Sequence, residues 1–426
     1  MLPHLSTSSR LPALGVGFLA LGLAGALLVH PVTPERARLA AASTGEHAFR
    51  KITTTTGFRN GTSEGFQVKA GSLTISKPVG HLSYAGKTWA YSRWTSPEIK
   101  PGQSFTQLIP SWNITTPSGT AVKISARVRS SSGKLSGFKV MGWWTTRDAS
   151  FRRTSGSTQR DSVAWANVDT LVASKGVSLT GYQLRVTAIR RSSSTPTPTV
   201  RSLHAVASRP VAALPATSRR LLHSKTLPVP RYSQMIHRGE YPKYGGGGEA
   251  WCSPTSLSMV LAYYKALPAA SNYAWVSKAY DDPWVDHVAR VAYDYGYQGA
   301  GNWAFNTAYA ANLTGDAFVT RLTDLREAER FIAAGIPLAA SISFSRGQLS
   351  GAPISATAGH LVVIAGFTST GDVVVNDPAA ATDAGVRRVY DRGQFERAWL
   401  RRSSGTVYVV RDAAHPLPAR GADLSW

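Results

Sequence analysis

The sequence predicts two domains in series, an all-β sandwich or jelly roll over residues 43–208 and an α+β domain over residues 226–426. The chain has 426 residues, and domains are typically about 100 to 200 residues long. The first half contains short alternating strands separated by turn residues, whereas the second half begins with helical spacing and continues with strands. Apolar residues make up 43% of the chain, which excludes wholesale disorder.

Short strands bounded by Gly, Ser, Thr and Pro are predicted throughout the first half. The runs are Leu73–Ile75, Phe105–Leu108, Val122–Val128, Phe138–Trp143, Val163–Val168 and Tyr182–Ile189. From Val122 to Arg129 the cations Lys123, Arg127 and Arg129 fall on alternate positions, which places them on one face of the strand, and Val and Ile point the other way.

Seven aromatic residues of the first half are expected mostly to fill the core, with a surface platform for sugars or polyanions as the alternative. These residues are Trp89, Tyr91, Trp94, Trp112, Trp143, Trp144 and Trp165.

Residues 1–42 are predicted to be an export signal peptide. Arg10 precedes an apolar run from Leu11 to Val29, and Ala40–Ala42 follow a polar stretch. The run of about 19 residues is also long enough for an uncleaved membrane anchor, which is the alternative. In either case we expect the rest of the chain to be secreted or held at the cell surface.

Basic side chains are concentrated in the first half. Residues 43–215 contain 23 Lys and Arg against 6 Asp and Glu, a net charge of +17, whereas residues 226–426 contain 18 against 17, a net charge of +1. Such a field attracts polyanions. For an exported chain we expect an anionic cell-envelope polymer as the partner of this domain, and not nucleic acid.

The second half begins after a predicted linker at residues 209–225, which contains two prolines and the pair Arg219–Arg220. Ser253 is predicted to cap a helix that has apolar spacing up to Tyr264. Asp324 and Glu327 have the spacing of a capping box for a second helix over Leu325–Ala334. The predicted strands are Pro337–Phe344, His360–Phe367, Asp372–Val375 and Thr406–Val410.

Cys252 is the only cysteine, so the chain has no internal disulfide and no cysteine-based metal cluster. It precedes the predicted helix, where backbone N–H groups stabilise a thiolate. The glycines Gly245–Gly248 before it permit close approach of a peptide. A lone buried cysteine is often a small apolar filler, but this position favours a nucleophile.

A thiol nucleophile needs a base, and His360 opens an apolar strand after Gly359. A hairpin turn near Ser369–Asp372 is expected to bring Asp377 back beside His360, where its carboxylate accepts the far imidazole N–H. Gln234, 18 residues before the cysteine, is the candidate oxyanion donor. Losing such a donor typically costs roughly 3 to 4 kcal/mol of transition-state stabilisation.

These motifs resemble papain-like cysteine peptidases related to the leader-processing domains of bacteriocin exporters. The resemblance rests on Tyr232–Gln234, Glu249–Ser256, Gly359–Val363 and Asn376–Pro378, and it covers only the C-terminal half, about Leu227 to Val410. It implies that Cys252 is the nucleophile, His360 the base and acid, Asp377 the orienting residue and Gln234 the oxyanion donor. Papain has Asn where this chain has Asp377. No transporter segments follow, so leader processing coupled to export is not expected.

Two further groups are weaker candidates. Asp281, Asp282, Asp286 and His287 are interpreted as the acidic start of a helix rather than as cation ligands, so no metal is expected. An aromatic segment either lines the substrate cleft or packs in the core. Its members are Tyr293, Tyr295, Tyr297 and Trp303.

The sequence therefore predicts an exported cysteine peptidase, tethered by its basic β domain, that acts on peptide or protein substrates. It is expected to need no cofactor and to be a monomer. The alternative is a non-catalytic surface protein that binds a glycan or polyanion and uses the papain-like half as a recognition module.

Overall fold

The computed structural model describes residues 47–156, 158–210, 213–419 and 425–426, so the predicted export signal lies outside the described residues. These described residues form one compact unit. Among the described helices, none combines the length and the apolar character needed to cross a bilayer.

The first half consists of two antiparallel sheets and one five-residue helix, α1 (Thr55–Arg59). Its strands are β1 (His47–Ile52), β2 (Thr62–Glu64), β3 (Phe66–Lys69), β4 (Ser72–Ile75), β5 (Gly80–Tyr84), β6 (Lys87–Thr95), β7 (Gln107–Thr115), β8 (Thr120–Ser130), β9 (Lys139–Trp144), β10 (Ala164–Asn167), β11 (Thr170–Ala173), β12 (Leu179–Arg190) and β13 (Thr199–Ser208). The seven-stranded sheet has the order β10-β11-β7-β13-β4-β3, with β1 on β13. The six-stranded sheet has the order β2-β6-β12-β8-β9, with β5 on β6.

The alternating pattern of the sequence accounts for these strands. In β8 the apolar residues from Val122 to Val128 are buried, whereas Lys123, Arg127 and Arg129 are only partly buried. Apolar residues from both sheets belong to one hydrophobic core. Of the seven aromatic residues singled out in the sequence, four are fully buried, namely Trp89, Trp94, Trp112 and Trp144.

The second half combines a seven-stranded antiparallel sheet with helices. Its strands are β14 (Lys225–Thr226), β15 (Asp316–Arg321), β16 (Leu338–Phe344), β17 (Thr357–Phe367), β18 (Val373–Asn376), β19 (Arg387–Tyr390) and β20 (Thr406–Arg411). Its α-helices are α2 (Cys252–Tyr263), α3 (Pro283–Ala292), α4 (Trp303–Thr314), α5 (Leu325–Ala333) and α6 (Arg392–Ser403). The sheet order is β15-β20-β16-β17-β18-β19, with β14 on β17.

Two helix starts test the predicted caps. Asp324 caps α5 as predicted, because its carboxylate accepts hydrogen bonds from the backbone of Arg326 and Glu327. The predicted cap of α2 is wrong: the capping position is Trp251, and the helix already begins at Cys252. Ser253 lies inside the first turn, and its hydroxyl is 2.8 Å from the hydroxyl of Tyr408.

The two halves pack against each other through buried polar and apolar contacts. Asp316 at the start of β15 accepts hydrogen bonds from Lys51 at 2.9 Å and from Asn113 at 3.0 Å. The ring of Phe305 in α4 lies between Trp112 and Trp144 of the first half, with centroid distances of 6.1 and 5.5 Å. Part of the surface of the second half is therefore buried because the first half covers it.

The predicted linker residues also contact the second half. The backbone N–H of Ser218 donates to Glu396 at 2.7 Å, and that of Leu222 donates to Glu329 at 3.1 Å. Arg392 in turn donates to the carbonyl of Ser218 at 2.6 Å. This segment is thus fixed to the helices α5 and α6 by charge-assisted hydrogen bonds.

Candidate active site

Cys252 is the first residue of α2, so its sulfur lies at the positive end of the helix dipole. The side chain is partly buried and lines a cleft of about 940 Å³. Backbone groups of Leu361 and Ser253 near the sulfur help to lower the pKa of the thiol, against the opposing effect of burial. The hydroxyl of Ser256, one turn along, donates to the carbonyl of Leu361 at 3.0 Å and ties the helix to β17.

His360 lies on β17 and is almost fully buried. Its imidazole and the sulfur of Cys252 are close enough to interact electrostatically. Its Nε2 atom is 2.7 Å from Oδ1 of Asp377. A carboxylate only accepts hydrogen bonds, so Nε2 carries the proton and Nδ1 is the ring nitrogen left for the thiol.

Asp377 follows β18, which forms a hairpin with β17 that turns at Thr368–Asp372. The pairing of Val363 with Asn376 brings the carboxylate beside the imidazole. Its oxygens are also satisfied by the backbone N–H of Ala379 at 3.0 Å and the hydroxyl of Tyr390 at 2.7 Å. Asp377 is fully buried, and these donors compensate its lost hydration.

The three groups shift one another's protonation. Burial alone raises the pKa of the Cys252 thiol, but the hydrogen bond and charge of His360 outweigh it, and the pKa lies below its usual value. Burial opposes the charge on His360 as well, yet Asp377 and the sulfur raise its pKa to about 10. Burial would raise the pKa of Asp377, but the charge and hydrogen bond of His360, together with the hydroxyl of Tyr390, lower it. This pattern favours a thiolate beside an imidazolium.

Gln234 lines the same cleft as Cys252 and is buried. Its Nε2 donates to the carbonyl of Glu249 at 2.7 Å, which uses one of the two amide protons. Its backbone N–H donates to the carbonyl of Pro378 at 2.8 Å. Of the four residues singled out in the sequence, Gln234, Cys252 and His360 thus line one cleft, and Asp377 contacts His360.

The comparisons with known families cover both halves. Residues 226–407 match the Peptidase C39 like family, and residues 48–208 match the Peptidase C39 N-terminal domain. The chain is a relative of the C39 peptidases. The predicted relationship to the leader peptidases of bacteriocin exporters is therefore confirmed.

No curated protein matches this C39 relative. Among solved structures, a LamA variant from Z. galactanivorans in complex with laminaritriose and laminaritetraose matches at 11% identity. That match covers 38% of this chain and 92% of the other, with a TM-score of 0.17, which is too low to establish a shared fold.

The first half of this C39 relative also lines the cleft. The turn between β10 and β11, residues 167–170, lines the cleft together with His360 and Gly359. Asp169 in this turn accepts a hydrogen bond from the backbone N–H of Trp303 at the start of α4. This part of the cleft was not predicted, because it forms only when the two halves pack together.

The aromatic segment is divided between the two predicted roles. Tyr297 and Trp303 line the cleft, and Tyr297 is 51% exposed. Tyr293 is buried and packs against Tyr295, with ring centroids 5.0 Å apart. Tyr295 also donates its hydroxyl to Asp148 of the first half at 3.1 Å.

Proposed function

We propose that the chain is an exported cysteine peptidase that hydrolyses amide bonds in peptides or proteins. Cys252 is its nucleophile, His360 its acid and base, Asp377 the orienting residue and Gln234 the oxyanion donor. The observation that carries the proposal is a thiol at a helix start that shares a cleft with an imidazole, whose Nε2 lies 2.7 Å from a buried carboxylate. The helix that carries the thiol and the sheet that carries the imidazole support the proposal of a papain-like arrangement.

In the acylation step the thiolate of Cys252 attacks the scissile carbonyl carbon and forms a C–S bond. The carbonyl oxygen becomes an oxyanion that accepts a hydrogen bond from the remaining N–H of Gln234. His360 gives its proton to the amine as the C–N bond breaks, and the amine leaves. The product is a thioester between Cys252 and the acyl part of the substrate.

In the deacylation step His360 is neutral and takes a proton from water. The resulting hydroxide attacks the thioester carbonyl, the C–S bond breaks, and the carboxylic acid product leaves. Cys252 returns to the thiolate and His360 to the imidazolium. Every proton in this cycle moves through residues of the chain.

A peptide library tests this function directly. The native chain and Cys252→Ala are incubated with the library, and new termini are counted by mass spectrometry. His223→Ala is the matched control, because His223 is an exposed histidine outside the cleft. Products from the native chain and the control, and none from Cys252→Ala, support the peptidase. Equal products from all three proteins would refute Cys252 as the nucleophile, and no products from any of them would refute the peptidase and favour a recognition module.

For the first half we propose attachment to an anionic polymer of the cell envelope through the six-stranded sheet. Arg93, Lys123, Arg127 and Arg185 lie together on that sheet, at partly buried positions. Burial, followed by the charges of Arg93 and Arg185, lowers the pKa of Lys123. A bound anion would offset the repulsion between these cations, so the surface favours anion binding.

The rings beneath these cations hold them in place. Arg127 and Arg185 lie over the ring of Phe138, at 4.6 and 3.6 Å from its centroid, and Lys123 lies 5.0 Å from that of Trp143. Cation–π contacts of this kind fix the direction of long basic side chains. The result is a preformed basic surface on one face of the sheet.

Cosedimentation with polyglutamate beads tests this attachment. The double substitution Lys123→Gln with Arg127→Gln is compared with Lys87→Gln and Lys134→Gln, which removes the same charge from exposed positions. We expect weaker binding and a weaker salt dependence for the first pair than for the second. Equal retention of both would mean that net charge alone governs binding, and that this face is no specific site.

A further inference from the structure

Three titratable side chains outside the active-site cleft meet in the interior of the second half. His237 ends a short 3-10 turn, Met235–His237, and Glu240 follows three residues later. Asp286 lies in the first turn of α3. All three are buried, and one donor atom from each lies within 4.8 Å of the others.

The distances between these atoms are near those around a shared ion. Nδ1 of His237 is 2.9 Å from Oε2 of Glu240 and 3.4 Å from Oδ2 of Asp286. Ligand atoms that each bind one ion at about 2.1 Å, at tetrahedral angles, are about 3.4 Å apart. The His237–Asp286 separation has this value, whereas the 2.9 Å between His237 and Glu240 is a hydrogen-bond distance that has to lengthen by about 0.5 Å around a tetrahedral ion.

Hydrogen bonding alone leaves the cluster unsatisfied. Within the described ranges, neither oxygen of Asp286 has a hydrogen-bond partner, although the residue has no exposed surface. The ion pairs of Glu240 and Asp286 are both made with His237, whose Nε2 is also without a partner. Two buried carboxylates thus share one imidazole, and an unpaired buried carboxylate is costly.

The surroundings add further negative charge. Asp282 lies close enough to His237 and to Asp286 to interact with both electrostatically, and Asp383 interacts with Asp282. The backbone of Ser233, before the 3-10 turn, donates to Asp383 at 2.6 Å. A divalent cation at the cluster would neutralise this excess of acidic groups.

We propose that His237, Glu240 and Asp286 bind a divalent first-row transition-metal ion, with Zn²⁺ or Mn²⁺ as the chemical class. One imidazole nitrogen with two carboxylates suits these ions, whereas Ca²⁺ and Mg²⁺ prefer oxygen ligands alone. The ion displaces the proton that Nδ1 otherwise donates to Glu240. Its affinity therefore falls as the pH is lowered.

The site is structural, and it supports the loop that carries the oxyanion donor. His237 is three residues after Gln234, and its backbone is in close contact with Gly248, where a Cβ atom would lie 2.5 Å from the His237 carbonyl. Gly248–Ala250 forms the turn that leads into α2. An ion held by Asp286 therefore joins this loop to α3.

Metal analysis of the full chain tests the site. The Cys252→Ala background is used, since a thiolate beside an imidazole also binds Zn²⁺. After incubation with Zn²⁺ or Mn²⁺ and dialysis, we expect about one ion per chain by mass spectrometry. We also expect the Tm to rise when the ion is added and to fall when a chelator removes it.

Asp286→Asn is expected to abolish both the bound ion and the shift in Tm. Asp281→Asn is the matched control, because Asp281 is an exposed carboxylate five residues away. If Asp286→Asn does not fold, Glu240→Gln takes its place with the same expectation. The proposal is overturned if the parent retains no ion and shows no shift, which indicates a proton shared by the carboxylates. It is also overturned if Asp286→Asn retains the ion as well as the control does.

Discussion

The second half contains two buried groups made of the same chemical parts, and they differ in how well those parts are satisfied. In the first, His360 pairs with Asp377, whose oxygens also accept from Tyr390 and from backbone. In the second, His237 lies between Glu240 and Asp286, and neither oxygen of Asp286 has a hydrogen-bond partner among the described residues.

This difference assigns different chemistry to similar side chains. A histidine with one well-satisfied carboxylate is held in one tautomer and can exchange a proton with a thiol through its other nitrogen. A histidine shared by two carboxylates cannot donate a hydrogen bond to both, and a bound cation supplies the positive charge that the second carboxylate needs. Counting donors against acceptors therefore separates a proton-transfer group from a candidate metal site.

The largest expected effect comes from His360→Ala. Without the imidazolium the thiol of Cys252 returns toward an ordinary pKa of about 8.5, at which roughly 3% is thiolate at pH 7. We expect kcat/KM to fall by at least about 1,000-fold and iodoacetamide labelling of Cys252 to slow by roughly 30-fold at neutral pH.

His223→Ala serves as the control for that experiment, since this exposed histidine lies outside the cleft and its substitution removes the same ring. Labelling of Cys252 that is equally fast in both variants would show that His360 does not activate the thiol.

A smaller loss is expected from Asp377→Asn, because an amide oxygen still accepts the hydrogen bond from Nε2 of His360. The lost charge matters for the pH dependence. The pKa of His360 is raised to about 10, so its acid function is present below that pH and is lost as the pH rises through it. In the native chain we expect kcat/KM to fall as the pH rises through about 10, and in the variant we expect this fall at a lower pH. At neutral pH the variant's kcat/KM is expected to be about 10- to 100-fold lower than that of the native chain. A fall at the same pH in both proteins would contradict this assignment.

The candidate catalytic group was predictable because each member lies beside a local sequence pattern. Cys252 precedes apolar helical spacing, and the hairpin that brings Asp377 to His360 turns at Thr368–Asp372, as the turn residues and strand lengths indicate. Antiparallel pairing then fixes which residues are neighbours. The antiparallel sheets of the fold followed from the same alternation of apolar residues.

The second group was not predictable, because its members come from separate segments that meet only through tertiary packing. The acidic residues of α3 were considered together with His287, but consecutive helical residues point about 100° apart. His287 faces Trp275 and Tyr309, whereas Asp286 faces the loop of His237. The cleft wall at Asp169 escaped prediction for the same reason.

The comparison also predicts that the same type of substitution changes the free energy of unfolding differently in the two groups. Asp377→Asn removes a satisfied carboxylate and is expected to lower the free energy of unfolding by roughly 2 to 3 kcal/mol. Asp286→Asn, measured in a chelator, removes an unsatisfied one and is expected to leave that free energy equal or higher. Denaturant unfolding of both variants, with Asp281→Asn as the control, measures the difference. A loss of similar size for both would mean that Asp286 is satisfied by contacts within the protein.

The smallest effect is expected from Tyr390→Phe, which removes one of the donors to Asp377 and leaves its bond to His360 intact. Because a buried carboxylate oxygen loses its partner, we expect a loss of about 1 to 2 kcal/mol in the free energy of unfolding and only a few-fold change in kcat/KM. Tyr263→Phe is the matched control, since it removes a hydroxyl that donates to a neutral carbonyl, that of Gly335, at 3.0 Å. Equal losses of the free energy of unfolding in both variants would show that the charge on Asp377 does not strengthen the hydrogen bond from Tyr390. In that case the hydrogen-bond donors around Asp377 would not be what distinguishes this carboxylate from that of Asp286.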